Sequence, residues 1–221
     1  MYNISWSELF TRLNDAFFQT LLMWIVASIL SIVVGTILGL LIFATRDGLI
    51  WKNKILYYFL STFINTIRSI PFIILLIFIL PFTKFLIGTT VGPFAASVSI
   101  SITAVAFFAR LVEMSFSDVD KGIIEATKAI GASNFTIVKE VLFPEAIPSL
   151  IRGITVLSVS ILGLTAMAGM FGGGGIGDLA VRYGYYRYET KVMLATSVVL
   201  IIWVQLTQGI GDYLARKSEK K

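Results

Sequence analysis

Charged residues are sparse along this chain, and the uncharged intervals between them have lengths set by a lipid bilayer. A spanning helix needs roughly 20 apolar residues at about 1.5 Å rise each. Four intervals meet that length without interruption: 16–45, 85–109, 153–177 and 192–211. A fifth, 55–83, is apolar over its length but contains Arg68, and the part beyond Arg68 is too short to cross comfortably. Arg68 must therefore snorkel to an interface or face a protein-lined interior. The pattern predicts an all-α polytopic membrane protein, a single domain over 1–221 with five transmembrane helices. The runs are too long for the strands of a β-barrel.

Five spans put the termini on opposite sides, and the basic residues choose the direction. With the C-terminus inside, the inner segments hold Arg46, Lys52, Lys54, Arg110, Lys121, Lys128, Lys139, Arg152, Arg216, Lys217, Lys220 and Lys221, twelve in all, against five (Arg12, Lys84, Arg182, Arg187 and Lys191) on the other side. Met1 is expected outside and the tail inside. Met1 to Asp15 holds one Arg and two acids, and the apolar run after it is too long for a cleavable signal peptide, so this segment is expected to remain.

Composition sharpens the picture by exclusion. Hydrophobic side chains make up 57% of the 221 residues, so lipid is the natural surrounding. The net charge of +5 is dispersed in short clusters beside apolar runs, which are topology signals and not a nucleic-acid face. The chain has no Cys and no His, which removes thiolate and imidazole chemistry and every Ser-His or Cys-His catalytic pair. The glycine run 169–177 is not a phosphate-binding loop, because no Lys-Ser/Thr follows it. No cofactor or metal site and no catalytic residue is expected on this chain.

The segment 110–152 is the longest on the inner side, and it reads as two short helices. Asp118 or Asp120 can cap the first, in which Ile123, Ala126 or Thr127, and Ile130 recur as one apolar stripe. Gly131 stands where a helix-ending left-handed residue is wanted, and Ser133 or Asn134 can cap a second helix through Leu142. Pro144 and Pro148 are expected to break the chain before the fourth span. Periodicity alone leaves two fates open for such a helix, lying on lipid or docking onto a partner.

A resemblance bears on that choice. Glu125-Ala126-Thr127, then Gly131 after three residues, then Val141-Leu142-Phe143-Pro144 after nine more, resembles the EAA loop of binding-protein-dependent ABC importer permeases. That family's pattern is Glu-Ala-Ala, three residues, Gly, nine residues, Ile-x-Leu-Pro, and Thr127, Val141 and Phe143 are mild departures. The resemblance implies that Glu125, Ala126, Thr127, Gly131 and Pro144 belong to a coupling loop seated on a cytoplasmic ATPase. Arg68 to Leu75, Ile79 to Thr83 and Tyr183 to Tyr188 further resemble methionine-importer permeases.

The resemblance implies a non-catalytic subunit of a bacterial inner membrane, working with two ABC ATPase subunits that carry ATP and Mg; a homodimer is expected because five helices are few to enclose a solute route and a two-fold pair gives ten. It also implies an extracytoplasmic solute-binding protein. Gly172, Gly173, Gly174 and Gly175 are the candidate contact with that protein; the other reading of these glycines is a backbone free to bend. Arg68 and Pro71 are the candidate pathway or interface residues, and Gly35 and Gly39 fit a close-packing pattern. The alternatives are an importer of another small solute, or an ion-coupled carrier or channel. The latter is disfavoured because none of the five intervals contains a carboxylate or His.

Overall fold

The computed structural model describes residues 4–46 and 50–219. Met1, Lys220 and Lys221, which enter the topology expectation, lie outside the described residues. Within them the chain is helical, with no strand. Four helices are long and apolar enough to cross a membrane, or five if one bent pair counts as a single broken span.

Helix α1, Trp6–Thr45, opens on Ser5, whose side chain accepts from the Glu8 amide. Its 40 residues reach about 60 Å at 1.5 Å per residue, well beyond the hydrocarbon thickness. The excess lies at its start. There Ile4, Leu9 and Ala16 are buried against Ile176, Leu179 and Val192, so the polar N-terminal stretch is packed into the fold.

The interval 55–83 folds as two helices, α2 (Lys54–Ser69) and α3 (Phe72–Ile87), bent by 109°. Pro71 is the cause. It lacks an N–H and pushes the residue before it out of the helical region, and Ile70 is extended at φ −86° and ψ 124°. Helix α4 (Pro93–Ser117) begins with Pro at its first turn and runs two turns past Ala109, where the uncharged interval ends.

Helix α5 spans Lys121–Ala129, and α6 (Asn134–Thr136) leads through a π-helical stretch, Ile137–Leu142, into α7 (Phe143–Ala168). Here the expectation that Pro144 and Pro148 break the chain is corrected. Both lie inside a helix that is continuous from Asn134. The π turn supplies the room: the Phe143 amide reaches back five residues to the Val138 carbonyl, widening the backbone just before the Pro144 ring. After α7 the chain turns through Gly169–Gly173 into the short α8 (Gly175–Leu179), and α9 (Thr190–Glu219) completes the bundle.

The core is built on α1 against α4. Along α1, Ala27, Ser31, Gly35 and Gly39 are buried at four-residue spacing, a flat stripe that lets the helices approach closely. A Cβ on Gly39 would stand 2.5 Å from the Ala109 carbonyl oxygen and 2.6 Å from the Val112 Cβ. The glycine pair therefore packs within the chain. Helix α7 adds Leu157 and Ile161 to the same core, and the Trp24 indole donates to the Ser158 carbonyl at 3.0 Å. Trp24 also meets the Trp203 ring edge-on at 5.8 Å, joining α1 to α9 inside the bundle.

Two contacts fix the polarity of the bundle. Arg12 near the start of α1 donates to the Tyr183 hydroxyl, and Arg152 near the start of α7 is ion-paired with Glu219 at the end of α9. The start of α1 and the glycine-rich turn share one end, and the end of α9 shares the other with the start of α7 and with α5.

Replacing Gly39 by Leu is expected to lower the midpoint of thermal inactivation in detergent, since overpacking typically costs about 1–3 kcal/mol. Gly163→Ala, where an added Cβ meets nothing within 4 Å, is expected to leave that midpoint nearly unchanged. Fluorescence-detected size exclusion after graded heating compares the two, and equal midpoints would contradict the packing role of Gly39.

Candidate functional site

The expected coupling residues lie on a projection from the end of α4. Asp120 caps α5, its carboxylate accepting from the Gly122 amide at 2.7 Å. Gly131 ends it at φ +87°, a conformation that costs a residue with a Cβ. The Gly131 amide donates to the Lys128 carbonyl at 3.0 Å and the Ala132 amide to Thr127 at 3.3 Å, the paired bonds of a Schellman turn. Ser133 then caps α6 by accepting from the Thr136 amide at 3.1 Å.

The two faces of α5 differ. Ile124 is 1% exposed and packs in the core that contains Ile137 and Val138, which anchors the helix to the bundle. Outward, Ile130 is 85% and Phe135 70% exposed, with Ile123, Glu125, Ala126 and Gly131 also at the surface. The Thr127 hydroxyl bonds back to the Ile123 carbonyl at 2.7 Å, so its departure from Ala leaves no unpaired donor. Pro144 is exposed at the first turn of α7, beyond the π-helical stretch. The stripe read from sequence is thus the unpartnered one. Ile124 as anchor and Phe135 as part of the outer face were missed, although Ile124 lies beside the stripe and Phe135 two residues after the Ser133 cap.

Arg68 and Pro71 sit elsewhere, at the α2–α3 bend. Arg68 lines a cleft of about 260 Å³ between α2, α4 and α7. Arg110, inside α4 and not at its end, pairs with buried Glu113 and donates to Ser61 Oγ at 2.6 Å and Asn65 Oδ1 at 2.8 Å. Glu113 is a carboxylate inside a spanning helix that the interval reading did not anticipate, and its charge is matched within one turn.

The glycines 172–175 are at the opposite end from α5. The Gly175 amide donates to Gln19 Oε1 at 2.7 Å and the Ile176 amide to Thr20 Oγ1 at 2.9 Å, so α1 side chains take up the opening amides of α8. The Gly92 amide bonds the Gly172 carbonyl at 2.8 Å. Gly173 and Gly175 are buried, Gly172 and Gly174 partly exposed, and Met170 and Phe171 form the exposed edge of the turn. Three hydrogen bonds tie the segment down, two to α1 and one to the turn before α4. Among the described residues, no group of three or more acidic side chains could hold a metal.

Known proteins resemble the chain over most of its length. The profile of the binding-protein-dependent transport system inner membrane component family matches residues 31–220. The probable D-methionine transport system permease protein of Pasteurella multocida is 43% identical over 92% of this chain and 94% of its own. The methionine import system permease protein of Bacillus subtilis is 44% identical over 82% of each. Among solved structures, a chain of the MetNI methionine ABC transporter in an inward-facing conformation superposes with a TM-score of 0.92 at 38% identity, over 97% of this chain and 99% of that one. An amino acid ABC transporter solved with histidines, at 16% identity and a TM-score of 0.79, shares the fold. On the span of the profile and the identity of these relatives, the chain belongs to the family of inner membrane components of binding-protein-dependent transport systems.

Proposed function

We propose that this chain is the membrane-spanning subunit of an ATP-driven importer that carries methionine into the cell. The observation that carries the reading is α5, a helix anchored by Ile124 whose outward Ile123, Ala126 and Ile130 are exposed and packed against none of the core clusters among the described residues. A surface of this kind, at the end of the bundle rich in Arg and Lys, suits a cleft in a cytoplasmic ATPase better than open water. The methionine transport relatives support the solute. ATP and Mg belong to the ATPase subunits, and no nucleotide chemistry is assigned to this chain.

Two copies of the permease enclose the pathway, because one bundle with a broken span leaves its cleft open to the side. Closure of two ATPase subunits draws the two α5 helices together and turns each bundle as a rigid body, so the pathway opens alternately to each face. The Glu219 end and α5 face the cytoplasm in this arrangement. The glycine-rich turn faces outward, where Gly172 to Gly175 shape the surface met by a solute-binding protein. With Gly173 and Gly175 buried, the contact falls on the exposed edge at Met170 and Phe171.

The reading is tested by reconstituting the permease with its ATPase and binding protein in proteoliposomes, where ATP-dependent methionine uptake is expected and its absence would refute the solute. Glu125→Lys is expected to release the ATPase during purification, since a desolvated interfacial charge that loses its partner typically costs about 2–5 kcal/mol. Gly131→Val adds strain of roughly 1–2 kcal/mol at a left-handed residue with no crowding from the chain itself. Both variants are expected in the membrane at wild-type amounts with uptake lost. Full ATPase retention and full transport in both would reduce the α5 loop to a surface amphipath. Reporter fusions at Glu219 are expected to report the cytoplasm, and labelling there by an impermeant reagent from outside would reverse the topology.

A further inference from the structure

Two arginines lie within the bundle, and the structure treats them differently. Arg110 is matched by Glu113 and by the side chains of Ser61 and Asn65. Arg68 makes no ion pair or hydrogen bond to any other described residue. It stands in the last turn of α2, about 21 Å along that helix from Lys54 at 1.5 Å per residue. Its cleft is lined by Thr103, close to the middle of α4, and by Ser160 of α7, so Arg68 lies at mid-bundle and away from the basic end. The bend at Pro71 prevents α2 from carrying it onward to the other face. An intramembrane cation without a protein partner faces a pathway or a ligand, because facing hydrocarbon is costly.

The remaining walls of the cleft describe the ligand. Thr103 donates to the Ser99 carbonyl at 3.0 Å and Ser160 to the Val156 carbonyl at 2.8 Å. Each hydroxyl has therefore spent its proton on its own helix and offers lone pairs to the cleft. Between one strong donor fork and two acceptors lie Ile67, Ile70, Phe107 and Leu164, an apolar wall. The volume of about 260 Å³ falls just below the range of drug-sized ligand sites, which run from roughly 300 Å³ upward, and suits a smaller molecule.

We propose that this cleft is a solute subsite of the translocation pathway, in which Arg68 binds the carboxylate of an α-amino acid. The hydroxyl oxygens of Thr103 and Ser160 accept from its ammonium, and the apolar wall takes an uncharged side chain. Planar, bidentate pairing of guanidinium with carboxylate gives the site its selectivity. This inference rests on the importer reading and deepens it. A zwitterion with an apolar side chain fits the cleft; a cation or a sugar does not.

The absence of cysteine permits a direct test, because Leu164→Cys introduces a single thiol to this chain on the apolar wall of the cleft and leaves Arg68, Thr103 and Ser160 in place. The permease–ATPase complex carrying it, in phosphatidylcholine nanodiscs, is labelled with N-ethylmaleimide while solute is titrated. L-methionine is expected to slow labelling, and L-methioninol, which lacks the carboxylate, is not. Arg68→Gln in the same background is expected to weaken the protection by about 30-fold or more, as for a desolvated charge pair that loses one partner. Arg68→Lys, which keeps the charge and loses the fork, is expected to fall between.

Protection that persists undiminished in Arg68→Gln, equal protection by methioninol, or a thiol that never reacts would overturn the site. Protection produced by phosphatidylglycerol in place of solute would also overturn it, by assigning Arg68 to a lipid headgroup. If the wild-type complex imports no methionine but another apolar amino acid protects the introduced thiol in an Arg68-dependent way, the subsite stands and the methionine reading falls.

Discussion

The close approach of α1 and α4 is the constraint on which the rest of the molecule depends. Lipid tails are as apolar as the side chains they touch, so helices in a membrane associate through packing and not through exclusion from water. Gly39 lies under the backbone of Ala109 and the side chain of Val112, a distance that no larger residue permits. With that contact fixed, α7 has a surface to pack on through Leu157 and Ile161. The end of α4 is then held, and it leads within four residues to α5. A force applied at α5 reaches the core through Ile124, Ile137 and Leu142 without crossing a flexible joint. Rigid packing is what allows a small motion at a cytoplasmic partner to become a change of access at the far end.

Charge inside the helix bundle imposes the second constraint, and the chain meets it in two ways. Arg110 is satisfied locally by Glu113 on its own helix and by Ser61 and Asn65 on α2, which pins the broken span to α4. Arg68 is left over at the bend that Pro71 enforces. A protein that needed only stability would have neutralised it in the same manner. Its unpaired state at mid-bundle is the reason it is assigned to the solute.

Much of this was legible in the sequence, where physics acts locally. The spans follow from uncharged length, the Asp120 and Ser133 caps and the Gly131 terminus from local hydrogen bonding, and the outer stripe of α5 from its period. What escaped the sequence depends on tertiary surroundings. Pro144 and Pro148 read as breaks because a proline removes an α-helical bond, whereas the π turn at Ile137–Leu142 moves the bonding pattern aside and keeps the helix continuous. Arg110 read as a helix end because its partners on α2 are 45 and 49 residues away in sequence. The glycines 172–175 read as a loop free to bend or to bind, and nothing local could reveal that Gln19 and Thr20 would hold the Gly175 and Ile176 amides.

The central claim is that α5 moves with the ATPase while the glycine-rich end moves in the opposite sense. Spin labels at Ala129→Cys and, separately, at Tyr188→Cys report it in the dimeric permease bound to its ATPase, since the chain contributes no other thiol. Double electron–electron resonance on trapping ATP should show the two α5 labels drawing together and the two labels at Tyr188 moving apart. An α5 separation unchanged by ATP, or both pairs moving in the same direction, would contradict the account.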